Sequence, residues 1–456
     1  MDLNLYHGRL PRARLWAGRL RARLLRLFRT EAFSGAILLL AALAAILWAN
    51  SPLAENYHDL WATPLTLGVG EWVFSQSLHF WVNDALMTVF FLIVGMEVRR
   101  ELHSGVLVDL RQATLPVVAA IGGVLVPAGL FLALNHGLPG QRGWAVPVAT
   151  DIAFALGVLA LIGRGLPSSL RSFLLTLAIV DDVVAVLIIA LFYGSELKGS
   201  GLVLVALGLG LLLALQRLRV GAALAYVLPG AMIWAGLLAT GINPTLAGVI
   251  LGLLTPARNP AAEEGSSRAL WRAARVLLTE TGRGKAGAGR WRSPLQAMRR
   301  ALQPPVERVQ ASLQPWVAYG VMPLFALANA GVDWGAAELA GPVEHCIIVG
   351  IALALALGKP AGVVLASWLA VRWGRCRLPA GMGWGHLWLI GLLAGIGFTM
   401  SIFIGTLAYD EEALVSAARL GVLLGSGLAM VLGLGWGLFL GRRHRRARAG
   451  CCTGPG

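Results

Sequence analysis

Asp181 and Asp182 stand side by side in LLTLAIVDDVVAVLIIALF, a run of about twenty otherwise uncharged and mostly apolar residues that is long enough to cross a bilayer. An ionisable group at that depth costs on the order of 2.5–3.5 kcal/mol even on the mildest insertion scale. Paired acids there point to an ion or proton pathway. The alternative is a pair neutralised by an Arg or Lys that only holds helices together. Further charge at depth favours the pathway. Lys359 lies near the centre of IVGIALALALGKPAGVVLASWLAV, too deep to reach either surface, and needs a carboxylate or carbonyl oxygens as partner. Asp181 and Asp182 are the natural candidates. Neighbouring helix residues point about 100° apart, so one carboxylate can meet Lys359 while the other faces a cavity.

The elements that must position these groups are interrupted helices. WAVPVATDIAFALGVLALIG holds Pro147, Thr150 and Asp151 in its middle, and Pro removes a backbone donor, so a broken helix is expected there. GLLAGIGFTMSIF has a comparable weakness, with Gly391, Gly395 and Gly397 ahead of Thr399 and Ser401; by themselves these glycines serve packing or unwinding equally well. Two interrupted spans in opposite halves are the pointer to inverted repeats around a midplane binding site. Three-span units near 114–193 and 344–440 would be the repeats.

Composition places the whole chain in a membrane. Of 456 residues 57% are apolar and 13% charged, and the apolar residues come in long blocks, so the fold class is an all-α polytopic membrane protein. About twelve spans are expected, starting near residues 32, 80, 114, 144, 169, 200, 221, 241, 316, 344, 386 and 415. The domain plan is a basic tail over 1–31, an integral domain over 32–441 with a long basic loop over 256–314, and a basic tail over 442–456. Arg-rich loops, among them those with Arg99, Arg111, Arg164, Arg219 and Arg375, alternate with loops carrying Glu55, Glu71, Glu196 with Lys198, Asp333 with Glu338, and Asp410. The bias puts both termini in the cytoplasm. The net charge of +15 lies in tails and loops, which suits anionic lipid headgroups and not nucleic acid. Cys346, Cys376, Cys451 and Cys452 have no metal-ligand or disulfide spacing, and the last two fall in a tail that reads as unstructured.

Three further features sit outside the midplane. Glu97, Arg100 and Glu101 in MEVRREL share one helix face at the end of the second span, as either an orientation-fixing charge cluster or a responsive one. Asn83 and Asp84 near its other end either cap the helix start or act. TPLTLGVGEWVF reads as a small hairpin outside the membrane.

In order, WVNDALMTVFFLIVGMEVRREL, VATDIAFALG, LAIVDDVVAVLIIALFY, PWVAYGVMPLFALANAGV, LGKPAG and GIGFTMSIFI resemble the NhaA-type sodium/proton antiporters, from about residue 31 to 440. The resemblance implies twelve spans with crossed broken helices at the fourth and eleventh. It implies electrogenic export of Na⁺ or Li⁺ in exchange for H⁺ from the bacterial inner membrane, in the service of sodium and pH homeostasis. It assigns ion and proton binding to Asp182 and Asp181, and balance of the exposed helix ends to Asp151 and Lys359, with Thr150 beside them. A pH response is carried over to Glu97, Arg100 and Glu101. It further implies a homodimer joined partly through the hairpin, and no cofactor beyond the transported ions. The chain departs from the family where His and Glu positions are replaced by Asn243, Gln310, Ala311 and Gln314. Three rivals are a Na⁺-coupled carrier of organic solutes, for which recognition side chains are few, an intramembrane aspartyl protease, for which the two acids should sit on different helices, and a membrane receptor or structural protein, for which buried charges in broken helices have no evident purpose.

Overall fold

The computed structural model describes residues 31–70, 72–105, 110–162, 166–194, 199–218, 220, 223–256, 304–332, 341–374 and 376–451. The N-terminal tail, most of the 256–314 loop, Glu71, Arg164, Glu196, Lys198, Arg219, Asp333, Glu338, Arg375 and Cys452 lie outside these residues.

Hydrocarbon offers backbone groups no partner, so apolar blocks of this length fold as helices that satisfy themselves. Six are long and apolar enough to cross a membrane: Leu78–His103, Gln112–Leu134, Ser168–Phe192, Pro305–Asn329, Pro342–Arg372 and Glu412–Arg443. Three bent pairs add to them, Phe33–Ala49 with Ala54–Ala62, Pro139–Val148 with Ile152–Ile162, and Trp384–Ala394 with Phe398–Ala408, giving up to nine spans among the described residues. Exposed Leu125, Leu191, Phe192, Leu202, Leu224 and Trp368 give the bundle an apolar exterior suited to lipid.

Where spans were expected near 221 and 241 the helices are short. A 3-10 turn over Ala223–Tyr226 leads into Val227–Thr240. After Gly241 turns left-handed (φ 83°), Leu246–Leu254 adds nine residues, about 14 Å of rise and less than a hydrocarbon core. The hairpin forms as read: Pro64–Val69 pairs antiparallel with Trp72–Ser77, in register from Pro64 opposite Ser77 to Val69 opposite Trp72.

Two expectations need correction. The last helix does not stop at Gly441 but runs from Glu412 through Cys451, so that cysteine sits on a helix and not in an unstructured tail. The Arg- and Ala-rich sequence after Gly441 is a good helix former and simply propagates the span. Likewise the helix expected to start near 316 begins at Pro305, inside the presumed loop. Pro305 occupies the first turn, and Val306, Val309 and Leu313 supply a helical stripe that pattern-counting at spanning length passes over.

One close packing contact sets the depth of the lysine. Cβ atoms on Gly122 and Gly362 would lie 2.3 and 2.1 Å from each other's carbonyl oxygen, so the backbones of Gln112–Leu134 and Pro342–Arg372 touch directly. Lys359 lies one turn from that contact, immediately after a π-helical turn over Ala354–Gly358. On the neighbouring side, Val94 and Val98 pack on Ile179 and dock the helix of Glu97 against the helix of the aspartate pair.

Candidate ion site between two broken spans

The first broken span is a 3-10 helix, Pro139–Val148, joined at 49° to Ile152–Ile162. Ala149 is extended (φ −73°, ψ 153°), which frees backbone groups on both sides of the gap. The second, Trp384–Ala394 with Phe398–Ala408, bends by 48° across Gly395–Gly397. Just past it Phe398 takes φ +24°, a strained value for a residue with a side chain and of the kind that concentrates at functional breaks. The two gaps meet: the Asp151 amide donates to the Ile396 carbonyl at 2.8 Å.

Each charged side chain here answers a helix end. Asp151 accepts from the Phe154 amide through Oδ1 at 3.0 Å, and through Oδ2 from the Thr399 hydroxyl at 2.5 Å and the Thr399 amide at 3.4 Å. One carboxylate therefore caps two half-helix N-termini, each carrying about half a positive charge. Lys359 does the reverse. Its Nζ donates to the Val148 carbonyl at the end of the 3-10 helix, to Thr150 Oγ1 at 2.7 Å, and pairs with Asp181 Oδ2 at 2.9 Å. Thr150 in turn points its single hydroxyl hydrogen at Asp181 Oδ2 (2.7 Å) or the Ala394 carbonyl (3.0 Å).

Asp181 and Asp182 thus divide as their 100° offset suggests. Asp181 takes the lysine and the threonine. Asp182, only 3% exposed, has no bond to either, and its Oδ1 is buried without a partner, as is Asp181 Oδ1. Buried polar atoms are nearly always satisfied, so two orphaned acid oxygens on adjacent residues are an anomaly that a cation or protons would resolve. Among the described residues no three His, Cys, Asp or Glu side chains converge as a metal-ligand group.

Glu97, Arg100 and Glu101 come together off the midplane. Arg100 Nη2 lies 3.5 Å from both acids, and Nη1 donates to Gln310 Oε1 at 3.3 Å. The replaced positions have local work: Gln310 is Arg100's acceptor, and Asn243 Oδ1 takes the amide (2.9 Å) and hydroxyl of Thr245 to open the helix at Leu246. At the opposite end, Asn83 and Asp84 do not cap. Ser77 does, accepting the Phe80 amide at 3.2 Å, and both residues sit in a π turn over Trp81–Leu86.

A family profile described as Na+/H+ antiporter 1 matches residues 25–436. The chain belongs to that family. It is 55% identical to "Na(+)/H(+) antiporter NhaA" of Bordetella petrii over 445 residues, 96% of this chain and 95% of that one. Identity to the protein of the same name in an Acidovorax species is 56% over 435 residues, 94% and 95% of the two chains. To that of a Janthinobacterium species it is 51% over 443 residues, 96% and 98%. Membership in the Na+/H+ antiporter 1 family makes the chain a multi-pass bacterial membrane transporter and not an enzyme.

Two residues at the gap do more than their sequence positions suggest. Thr399, one of the polar residues that follow the glycines, gives Asp151 its shortest hydrogen bond. Ser426, on the last span, accepts the Phe398 amide at 3.1 Å and fills the vacancy left by the second break. A threonine at the first turn after a Gly-rich break was a usable signal; Ser426, 28 residues away, was not.

Proposed function

We propose that the protein is a secondary antiporter that exports Na⁺ or Li⁺ in exchange for H⁺, with Asp182 and Asp181 as the shared binding groups. The observation that carries this is the pair of partnerless carboxylate oxygens beside a lysine-held acid. A cation bound there needs both acids ionised, and protons bound there leave no charge to hold it, so each cargo displaces the other. Asp151 and Lys359 keep the broken helix ends neutral throughout, which lets the gap stay open at membrane depth at low cost. Thr150 and backbone carbonyls supply neutral oxygens. Alternating access then follows from moving the two broken spans, as inverted repeats, against the remaining helices. With more charge entering as protons than leaving as metal, transport responds to membrane potential at about 2.3 kcal/mol per charge per 100 mV.

One helical element at each of the twelve expected places supports a twelve-span reading in which the short helices complete the count. The Arg-weighted loops support cytoplasmic termini in the inner membrane. The exposed hairpin suits a homodimer contact, and the apolar exterior suits lipid. Glu97, joined to Arg100 on the helix that Val94 and Val98 dock against that of Asp182, suits a pH response that reaches the site. The activity calls on no cofactor and no organic substrate.

The test is exchange in everted vesicles. Wild-type protein should move protons on addition of Na⁺ or Li⁺ and not K⁺, and Asp182→Asn should abolish it. Retained exchange in that variant removes Asp182 from the mechanism, and solute uptake without cation exchange supports the organic-solute rival.

A further inference from the structure

Between the ion site and the hairpin side lie two layers of side chains that the transport chemistry does not use. The lower layer is aromatic. Phe91, Phe325 and Phe403 are fully buried, with ring centroids 5.4 Å apart for Phe91 and Phe403 and 6.2 Å for Phe325 and Phe403. Phe403 belongs to the second half of the second broken span, so any motion of that half-helix disturbs these rings.

The upper layer is polar and centres on Asn329, one helical turn beyond Phe325. Asn329 Nδ2 donates to Asn83 Oδ1 at 2.7 Å. Its Oδ1 lies 3.2 Å from His79 Nε2, 3.4 Å from Asn83 Nδ2 and 3.5 Å from Arg419 Nη2. In the His79 tautomer that carries its hydrogen on Nε2, the two lone pairs of the amide oxygen meet three donors, and Arg419 is the most distant claimant. Arg419 is 9% exposed, its Nε has no partner, and its carboxylate, Glu412, stands 3.9 Å away and is itself exposed. A buried guanidinium held loosely between a neutral amide and an exposed acid is poised to move.

We infer that Arg419 is the movable charge of a gate on the hairpin side. With the guanidinium on Asn329, the helices carrying Asn83, Asn329 and Arg419 are tied together above the aromatic layer, and a positive charge repels cations from the path. With it on Glu412, one turn or two nearer the surface, the tie is released and the charge withdrawn. Arg419 and Glu412 are positioning residues that set how often the path opens. The inference rests on the antiporter reading for its purpose, not for its geometry.

The test uses the full chain with Cys346, Cys376, Cys451 and Cys452 replaced by Ser, and Ser401→Cys as reporter below Phe403 on the moving half-helix. A membrane-impermeant methanethiosulfonate is applied to right-side-out and everted vesicles, and exposed Ser75→Cys on the hairpin identifies the relevant face. Arg419→Gln should speed labelling of the reporter from that face about tenfold, the result of losing one charge-assisted hydrogen bond. Glu412→Gln should slow it about two- to fivefold, as expected of an exposed pair. Should Arg419→Gln fail to fold, Glu412→Gln decides alone, and labelling that is unchanged or faster overturns the gate. Labelling is read whether or not Na⁺ moves protons, so absence of exchange in the wild type would overturn the antiporter reading and leave the gate standing.

Discussion

The midplane gap and the Glu97–Arg100–Glu101 cluster use the same chemical groups to opposite effect. At the gap, Lys359 and Asp181 are fully buried and 2.9 Å apart, and Asp151 is bonded to three donors. In the cluster Arg100 stands 3.5 Å from each acid with about a third of its side chain exposed. The difference lies in what fixes the charges. Helix ends created by backbone breaks carry dipoles fixed in direction by the half-helix itself, so the groups answering them are held against that end wherever the half-helix goes. Rotamers on an unbroken helix face are adaptable, and solvent screens what they do.

The comparison is broken most directly at the lysine. Lys359→Met leaves Asp181 buried without its cation and should cost about 3–5 kcal/mol, seen as a large fall in Tm in detergent. A loss no greater than that of Arg100→Gln would mean that the gap is as loosely held as the cluster. Next comes Thr399→Val, which removes the shortest donor to a buried carboxylate and should cost about 1.5–3 kcal/mol. Thr399→Ser should restore most of it. Gly362→Ala sets a methyl against the Gly122 carbonyl and should cost about 1–3 kcal/mol through forced separation of two helices; its mark is an equal loss of exchange with Na⁺ and with Li⁺, not a shifted cation preference. The smallest effect is Arg100→Gln, at most about 1 kcal/mol and abolished by 1 M choline chloride. A salt-insensitive loss there would show that the cluster is structural after all.

Much of the site was legible because its signals are local and costly. Charge inside an apolar block is conspicuous, and Pro147 with Asp151, or three glycines ahead of Thr399, mark a break from a dozen residues of sequence. That only one of Asp181 and Asp182 would meet Lys359 follows from helix geometry alone. Which of them would meet Lys359 does not, because that depends on the approach of Gly122 to Gly362, a contact between residues 240 apart in sequence by count of position. The hub at Asn329 was invisible for a similar reason: Asn in a span is unremarkable until Asn83 and Arg419 are brought beside it. The helix beginning at Pro305 and the run of the last helix to Cys451 lie outside any apolar block of spanning length, so composition hides what periodicity and helix propensity extend.

The Thr150 hydroxyl owns one hydrogen and is offered two oxygens, those of Asp181 and Ala394. It can satisfy only one at a time. Whichever oxygen it turns to, the other is left to find a partner elsewhere, so a single hydroxyl rotor couples Asp181 on one helix to the last carbonyl of the half-helix Trp384–Ala394.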